Sequence, residues 1–133
     1  MCYHLITIPI AAGLITQAIK LTTDGIKGNF TFKNLGDYGG MPSAHSAIVA
    51  ALLTELFLSE GCSPLFAASL IFSFFIIRDA KGLRNYVGKS NKEINKLTGG
   101  GTNLNEKVGH TTGEIIIGSI LGVIIGIIGV WLM

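Results

Sequence analysis

Three short polar runs carry the residues whose types and spacing could do chemistry. They are Gly39-Gly40-Met41-Pro42-Ser43-Ala44-His45-Ser46-Ala47, Arg78-Asp79-Ala80-Lys81-Gly82-Leu83-Arg84 and Gly109-His110-Thr111-Thr112-Gly113-Glu114. In the first, two glycines free the backbone, Pro42 suits a first helical turn, and Ser43, His45 and Ser46 crowd a helix start. Unpaired N–H groups and the positive end of the helix dipole make such a start attractive to anions. The second run offers arginine, the side chain best shaped for bidentate phosphate or carboxylate binding, with Asp79 to orient one of its two arginines. Arg84 is the candidate ligand there, while Lys81 reads better as a charge that stops a helix at a membrane edge. In the third run Thr111 or Thr112 can cap a helix. If that helix begins by His110, then His110 and Glu114 lie at i and i+4 and share a face. A carboxylate beside an imidazole fixes its tautomer and supports positive charge on it, the relation a catalytic histidine needs. The same residue types can ligate a metal. However, His-x-x-x-Glu has neither a zincin nor a zinc-finger spacing, and the basic residues nearby favour an anionic ligand. No metal and no cofactor are expected.

The elements that must position these runs follow from composition. Of 133 residues only 14% are charged, against about 25% in an ordinary soluble domain. Apolar residues make up 49%, the mean hydropathy is +0.57, and 18 residues are glycine. Such a chain is neither an ordinary soluble globule nor disordered, because disorder needs low hydrophobicity and high charge. Its length suits one domain, residues 1–133. Four stretches are apolar enough to enter a bilayer: Tyr3 to Ile19, Ala44 to Leu58, Pro64 to Ile77 and Ile115 to Met133. The first and last meet the roughly 17–25 residues that a spanning helix needs, and the middle two reach it by extending into polar neighbours. Polar entries of that kind are costly and often functional. The expectation is an all-α integral membrane protein with about four transmembrane helices, at about 3–20, 43–59, 63–78 and 112–133. The first stretch lacks a positive start and an Ala-x-Ala-like site, so it reads as a retained helix rather than a signal peptide. Cys2 and Cys62 read as small apolar fillers, not as a disulfide framework.

Four spans would place the connections alternately on two sides. All ten basic residues then fall on one side, in Lys20 to Pro42 and in Arg78 to Glu114. The other side, with both termini and Ser59 to Ser63, has only Glu60 near the membrane and Glu55 just inside the helix. The positive-inside rule puts both long loops in the cytoplasm and both termini outside, although bound anions would also gather basic residues. All three polar runs share the basic side. In the long second inside loop, Leu83, Val87, Ile94 and Leu97 are spaced for an amphipathic helix at the membrane surface or capping the bundle. The break from Thr98 to Thr102, with its triple glycine, reads as a mobile segment or a lid. Gly118, Gly122 and Gly126 form a small-residue stripe that admits another helix closely, inside the bundle or across a homodimer.

Together these runs resemble the divergent branch of the type 2 phosphatidic acid phosphatases, relatives of acid phosphatases and vanadium haloperoxidases. The likeness extends from about Gln17 to Gly126 and takes in Gly88 and Asn95. The wider superfamily has a Pro-Ser-Gly-His motif and a later His-x-x-x-Asp motif. Pro42-Ser43-Ala44-His45 matches the first with Ala44 for glycine, and His110 to Glu114 matches the second with Glu for Asp. The resemblance implies His110 as the nucleophile that forms a phosphohistidine, Glu114 as its orienter and His45 as the acid that protonates the leaving alkoxide. Two positions depart from the pattern. Lys20 and Lys27 keep the spacing of the first superfamily motif, but Lys27-Gly28 stands where Arg-Pro is usual. Leu104 stands where an arginine precedes the nucleophile. Arg84, supported by Lys20, is then the candidate to neutralise phosphate, with Ser43 and Asp79 completing the phosphate site. The implied activity is hydrolysis of a phosphomonoester or pyrophosphate on an isoprenoid or glycerolipid. The expected partners are the bilayer and an amphiphilic phosphate-bearing lipid, not nucleic acid. The alternatives are a protein that binds or carries a lipid phosphate without cleaving it, and a metal-dependent membrane hydrolase.

Overall fold

A computed structural model describes residues 3–26, 40–99, 101–106 and 108–132. The described residues form five helices: α1 (His4–Ile26), α2 (Ala44–Glu60), α3 (Pro64–Lys81), α4 (Leu83–Leu97) and α5 (Thr112–Trp131). The expected all-α fold is present, and α4 is the amphipathic helix of the long loop. Two segments differ from expectation. α1 runs on to Ile26, so Lys20 is helical rather than part of a loop. The hydroxyls of Thr22 and Thr23 donate back to the carbonyls of Ala18 and Ile19, which lets polar residues continue the helix. Pro42 does not open α2, because Ser43 is the N-cap and Ala44 the first helical residue. Lys27, Lys33, Lys107, Gly28, Gly39, Gly100 and Cys2 lie outside the described residues, and with them most of the first inside loop.

The bundle is organised around α2, which packs against α1, α3 and α5. Its closest partner is α5, and the glycine stripe explains why. A Cβ added at Gly118 would overlap the carbonyl oxygen of Ser43, one at Gly122 that of Ala47, and one at Gly126 would crowd Ala51 and Thr54. The stripe is therefore filled by α2 of the same chain, the first of its two expected uses. The α2–α3 hairpin is closed by Gly61 at φ 65°, by Ser63 capping the N–H of Phe66, and by the tilted Phe57–Phe66 ring pair at 5.5 Å.

The fully buried apolar core is small. Among the described residues it comprises Ile8, Ala12, Ala47, Val49, Ala51, Leu56, Ala80 and Ile115, and Ile8, Ala12 and Ala51 cluster with Ile125 and Val130 packed alongside. Most large apolar side chains point outward. α3 buries only Ser73 and Ala80, and Ile71, Phe72, Phe74 and Phe75 are each at least 60% exposed. α5 likewise exposes Ile116, Ile120, Ile124 and Ile128. Continuous apolar surface on this scale calls for an apolar solvent. α1 and α5 have the length and composition to cross a bilayer, at 23 and 20 residues with mean hydropathies of 1.5 and 2.3. α2 and α3, at 17 and 18 residues, are short by comparison. Length, hydropathy and outward apolar faces together make this an all-α membrane protein. Glu55, expected just inside the helix end, is 2% exposed within the bundle. It lies ten residues along α2 from His45, about 15 Å at the usual helical rise.

Candidate active site

The three polar runs meet at one end of the bundle. That end gathers the N-termini of α2 and α5, the C-terminal turn of α3 and the first turn of α4. Thr111 is the N-cap of α5: its hydroxyl accepts the Glu114 N–H at 3.3 Å, and the Glu114 carboxylate accepts the Thr111 N–H at 3.0 Å. This reciprocal capping box fixes the Glu114 side chain against the helix start. The same oxygen, Oε2, lies 3.2 Å from His110 Nδ1. His110 and Glu114 thus meet, but not through a shared helical face. His110 precedes the helix, and the capping carboxylate reaches back to it.

His110 is 4% exposed and held on three sides. Its N–H donates to the Ala80 carbonyl at 3.1 Å, its own carbonyl accepts from Asn85 Nδ2 at 3.2 Å, and its ring meets Glu114. Ala80 lies in the last turn of α3 and Asn85 in the first turn of α4, so both helices help to place the imidazole. Engagement of Nδ1 leaves Nε2 as the ring nitrogen available to a substrate. The His45 ring, from the first turn of α2, lies 6.3 Å from that of His110 between centroids, tilted by 59°. Arg84, His110 and Asp79 are all close enough to act on the charge of His45. Arg84 Nε donates to Asp79 Oδ2 at 3.0 Å, so Asp79 orients the Arg84 guanidinium.

Two expected phosphate ligands are placed differently. Ser43 is wholly buried, and its hydroxyl accepts from the Ser46 N–H as the cap of α2. Its N–H donates to the Glu114 carbonyl at 3.2 Å, which joins the starts of α2 and α5. Ser43 therefore holds the scaffold at the start of α2. Lys20 is 5% exposed, with its aliphatic stem against Gly40. Gly40, at φ 104°, takes a conformation that favours glycine, and a side chain there would also run into Lys20. Lys20 thus reaches the approach to α2 from α1.

Asn85 and Asn95 were not singled out as site residues by spacing, and both organise the surroundings of His110. Asn95 Nδ2 donates to the Leu104 carbonyl and to Glu106, while its Oδ1 accepts from the Leu104 N–H and the Thr102 hydroxyl. One amide thereby pins the segment that leads to His110. The presence of Asn95 in the family pattern was the only signal pointing to it. On the outer face of α4, Lys96 donates to Glu93 at 2.8 Å and holds that carboxyl below its ordinary pKa.

Comparison with known proteins gives the chain its family. The chain is 40% identical over 90 residues to a Bacillus subtilis (strain 168) protein described as the uncharacterized membrane protein YuiD. That match covers 66% of this chain and 57% of the relative, so the chain spans a little over half the length of the curated relative it matches. No solved structure matches. A family model described as the divergent PAP2 family matches residues 2–125, nearly the whole chain and all three polar runs, and the chain belongs to that family.

Proposed function

We propose that this protein is a membrane phosphatase that hydrolyses a phosphomonoester or pyrophosphate on a lipid through a phosphohistidine intermediate. The observation that carries the reading is the His110–Glu114 pair at 3.2 Å with the His45 ring 6.3 Å away. His110 Nε2 attacks phosphorus while Glu114 accepts a hydrogen bond from Nδ1–H, which stays on the ring, and so stabilises the positive charge that the imidazole gains. His45, protonated, delivers its proton to the leaving alkoxide, a step worth roughly 10²–10⁴-fold. Neutral His45 then deprotonates a water that attacks the phosphohistidine, which releases orthophosphate and restores His110. Arg84, oriented by Asp79, neutralises charge on the phosphoryl oxygens, with Lys20 in support from α1. The outward apolar faces support an amphiphilic substrate presented by the bilayer. In this reading α1, α2, α3 and α5 all span, and the site faces the cytoplasm with both termini outside.

Leu104 in place of the superfamily arginine favours a second reading, in which the same site binds a lipid phosphate without turnover. A panel of isoprenoid and glycerolipid phosphates separates the two. The purified protein should release orthophosphate, vanadate should inhibit and EDTA should not, and His45→Ala and His110→Ala should each abolish turnover. Release that survives His110→Ala rejects the covalent mechanism, and tight lipid binding with no release by the wild type selects the second reading.

A further inference from the structure

The α3–α4 junction holds a second group of cations that the site above does not use. Arg78, Lys81 and Lys89, with Gly82, Asn85 and Tyr86, line a cavity of about 330 Å³. Among the described residues no carboxylate lines that cavity. None of the three cations forms an ion pair among the described residues. Lys89 Nζ lies 5.6 Å from the Tyr86 ring, a cation–π arrangement that keeps its charge at the cavity rim. Three positive charges around one hollow, with no acid among its described lining residues, set up a local positive potential. Asp79 borders the adjoining hollow, but its carboxylate is engaged by Arg84 at 3.0 Å.

The other wall of the junction is apolar. The adjoining hollow is lined by Phe75, Leu83 and Tyr86, which are 60%, 66% and 68% exposed. Phe72, three residues before Phe75 on α3, and Val87, four after Leu83 on α4, are exposed too and sit at the spacing that shares a helical face. A basic hollow opening directly onto an apolar, bilayer-facing surface suits an anion that carries its own hydrocarbon. A free polyanion would leave that wall uncovered, and an uncharged lipid would leave the cations unanswered.

We propose that this notch binds the headgroup of an anionic phospholipid from the leaflet on the His110 side. Its phosphate sits among Arg78, Lys81 and Lys89, and its chains lie along Phe75 and Leu83. The lipid is a bound ligand, not a substrate, because His45 and His110 do not line the notch. Asn85 lies between the two sites, lining the notch while donating to the His110 carbonyl. The proposal does not depend on phosphatase activity and is tested by binding alone.

The test is native mass spectrometry of the protein released from nanodiscs of phosphatidylcholine with rising phosphatidylglycerol. Wild type should retain one phosphatidylglycerol in preference to phosphatidylcholine by about tenfold or more, the scale of charge-assisted phosphate contacts. The double variant Arg78→Gln/Lys89→Gln should lose the preference. The charge-matched Lys92→Gln/Lys96→Gln should keep it, and so should Arg78→Lys/Lys89→Arg. Equal loss in the two neutralising doubles would show diffuse surface attraction and overturn the proposal. Loss in the charge-conserving double would overturn it too. So would displacement of the retained lipid by inorganic phosphate alone, because the apolar wall would then contribute nothing.

Discussion

Glu114 holds two positions at once, and a substitution can separate them. Its Oε2 accepts the Thr111 N–H at 3.0 Å as part of the α5 cap and meets His110 Nδ1 at 3.2 Å. Glu114→Gln keeps an oxygen for the cap and removes the charge beside the imidazole. Glu114→Ala removes both. The Thr111 hydroxyl remains in each variant, so the lost cap bond is worth about 0.5–1.5 kcal/mol, the net value of an ordinary hydrogen bond. The bond to a charged imidazole is worth about 1.5–3 kcal/mol, which at 1.36 kcal/mol per decade is about one to two decades in rate if the charge develops at the transition state. Glu114→Gln should therefore unfold in detergent at nearly the wild-type temperature, yet hydrolyse lipid phosphate about 10- to 100-fold more slowly in kcat. Glu114→Ala should show the same rate loss or more, together with a lower unfolding temperature. The assay is orthophosphate release at saturating substrate beside thermal unfolding of the same preparations. If Glu114→Gln turns over within threefold of wild type, the carboxylate does not stabilise a charged His110. If rate and stability fall together in both variants, Glu114 is only a cap.

Two further predictions concern the scaffold. Gly122→Val sets a branched side chain against the Ala47 carbonyl and backbone, which cannot move aside as a side-chain tip would. It should destabilise the bundle by about 3 kcal/mol, the upper end of ordinary overpacking, as read by thermal or denaturant unfolding; an unchanged midpoint would mean that α2 and α5 do not pack this closely. Asn95→Ala removes every bond by which that amide pins 102–106. Amide exchange in 102–106 should accelerate at least tenfold while exchange in α5 stays unchanged, and equal protection in variant and wild type would refute the staple.

What could be read from the sequence was periodic or local. The apolar lengths of α1 and α5, the amphipathic spacing of α4 and the glycine stripe of α5 each repeat at a helical interval, so each was legible without coordinates. The meeting of His110 with Glu114 was legible for an incomplete reason. Spacing allowed a shared helical face, but Thr111 captured the cap, and His110 was left outside the helix within reach of the capping carboxylate. The helix of α1 outlasts its apolar stretch because Thr22 and Thr23 bond back to their own helix, a local bond that hydropathy does not register. A serine beside a helix start serves as a cap or as an anion donor, and the structure shows the first use at Ser43, whose hydroxyl accepts the Ser46 N–H. Asn85 and Asn95 were illegible in this role, since their partners are distant in sequence: Asn85 reaches His110 across twenty-five residues and Asn95 reaches Glu106 across eleven.

The apolar part of the fold and the polar site are one construction. The glycines of α5 let its backbone approach α2, and that approach brings the Ser43 N–H to the Glu114 carbonyl at 3.2 Å. Ser43 starts the helix that carries His45, and Glu114 belongs to the cap that holds His110. The separation of the two imidazoles is therefore set by small residues that touch no substrate. A side chain added at Gly118, directly beneath Ser43, would push the two helix starts apart before it touched His45 or His110. Catalysis that relies on an acid and a nucleophile on opposite sides of one phosphorus tolerates little such drift. The stripe that reads in sequence as a packing device is also what sets the spacing of the site.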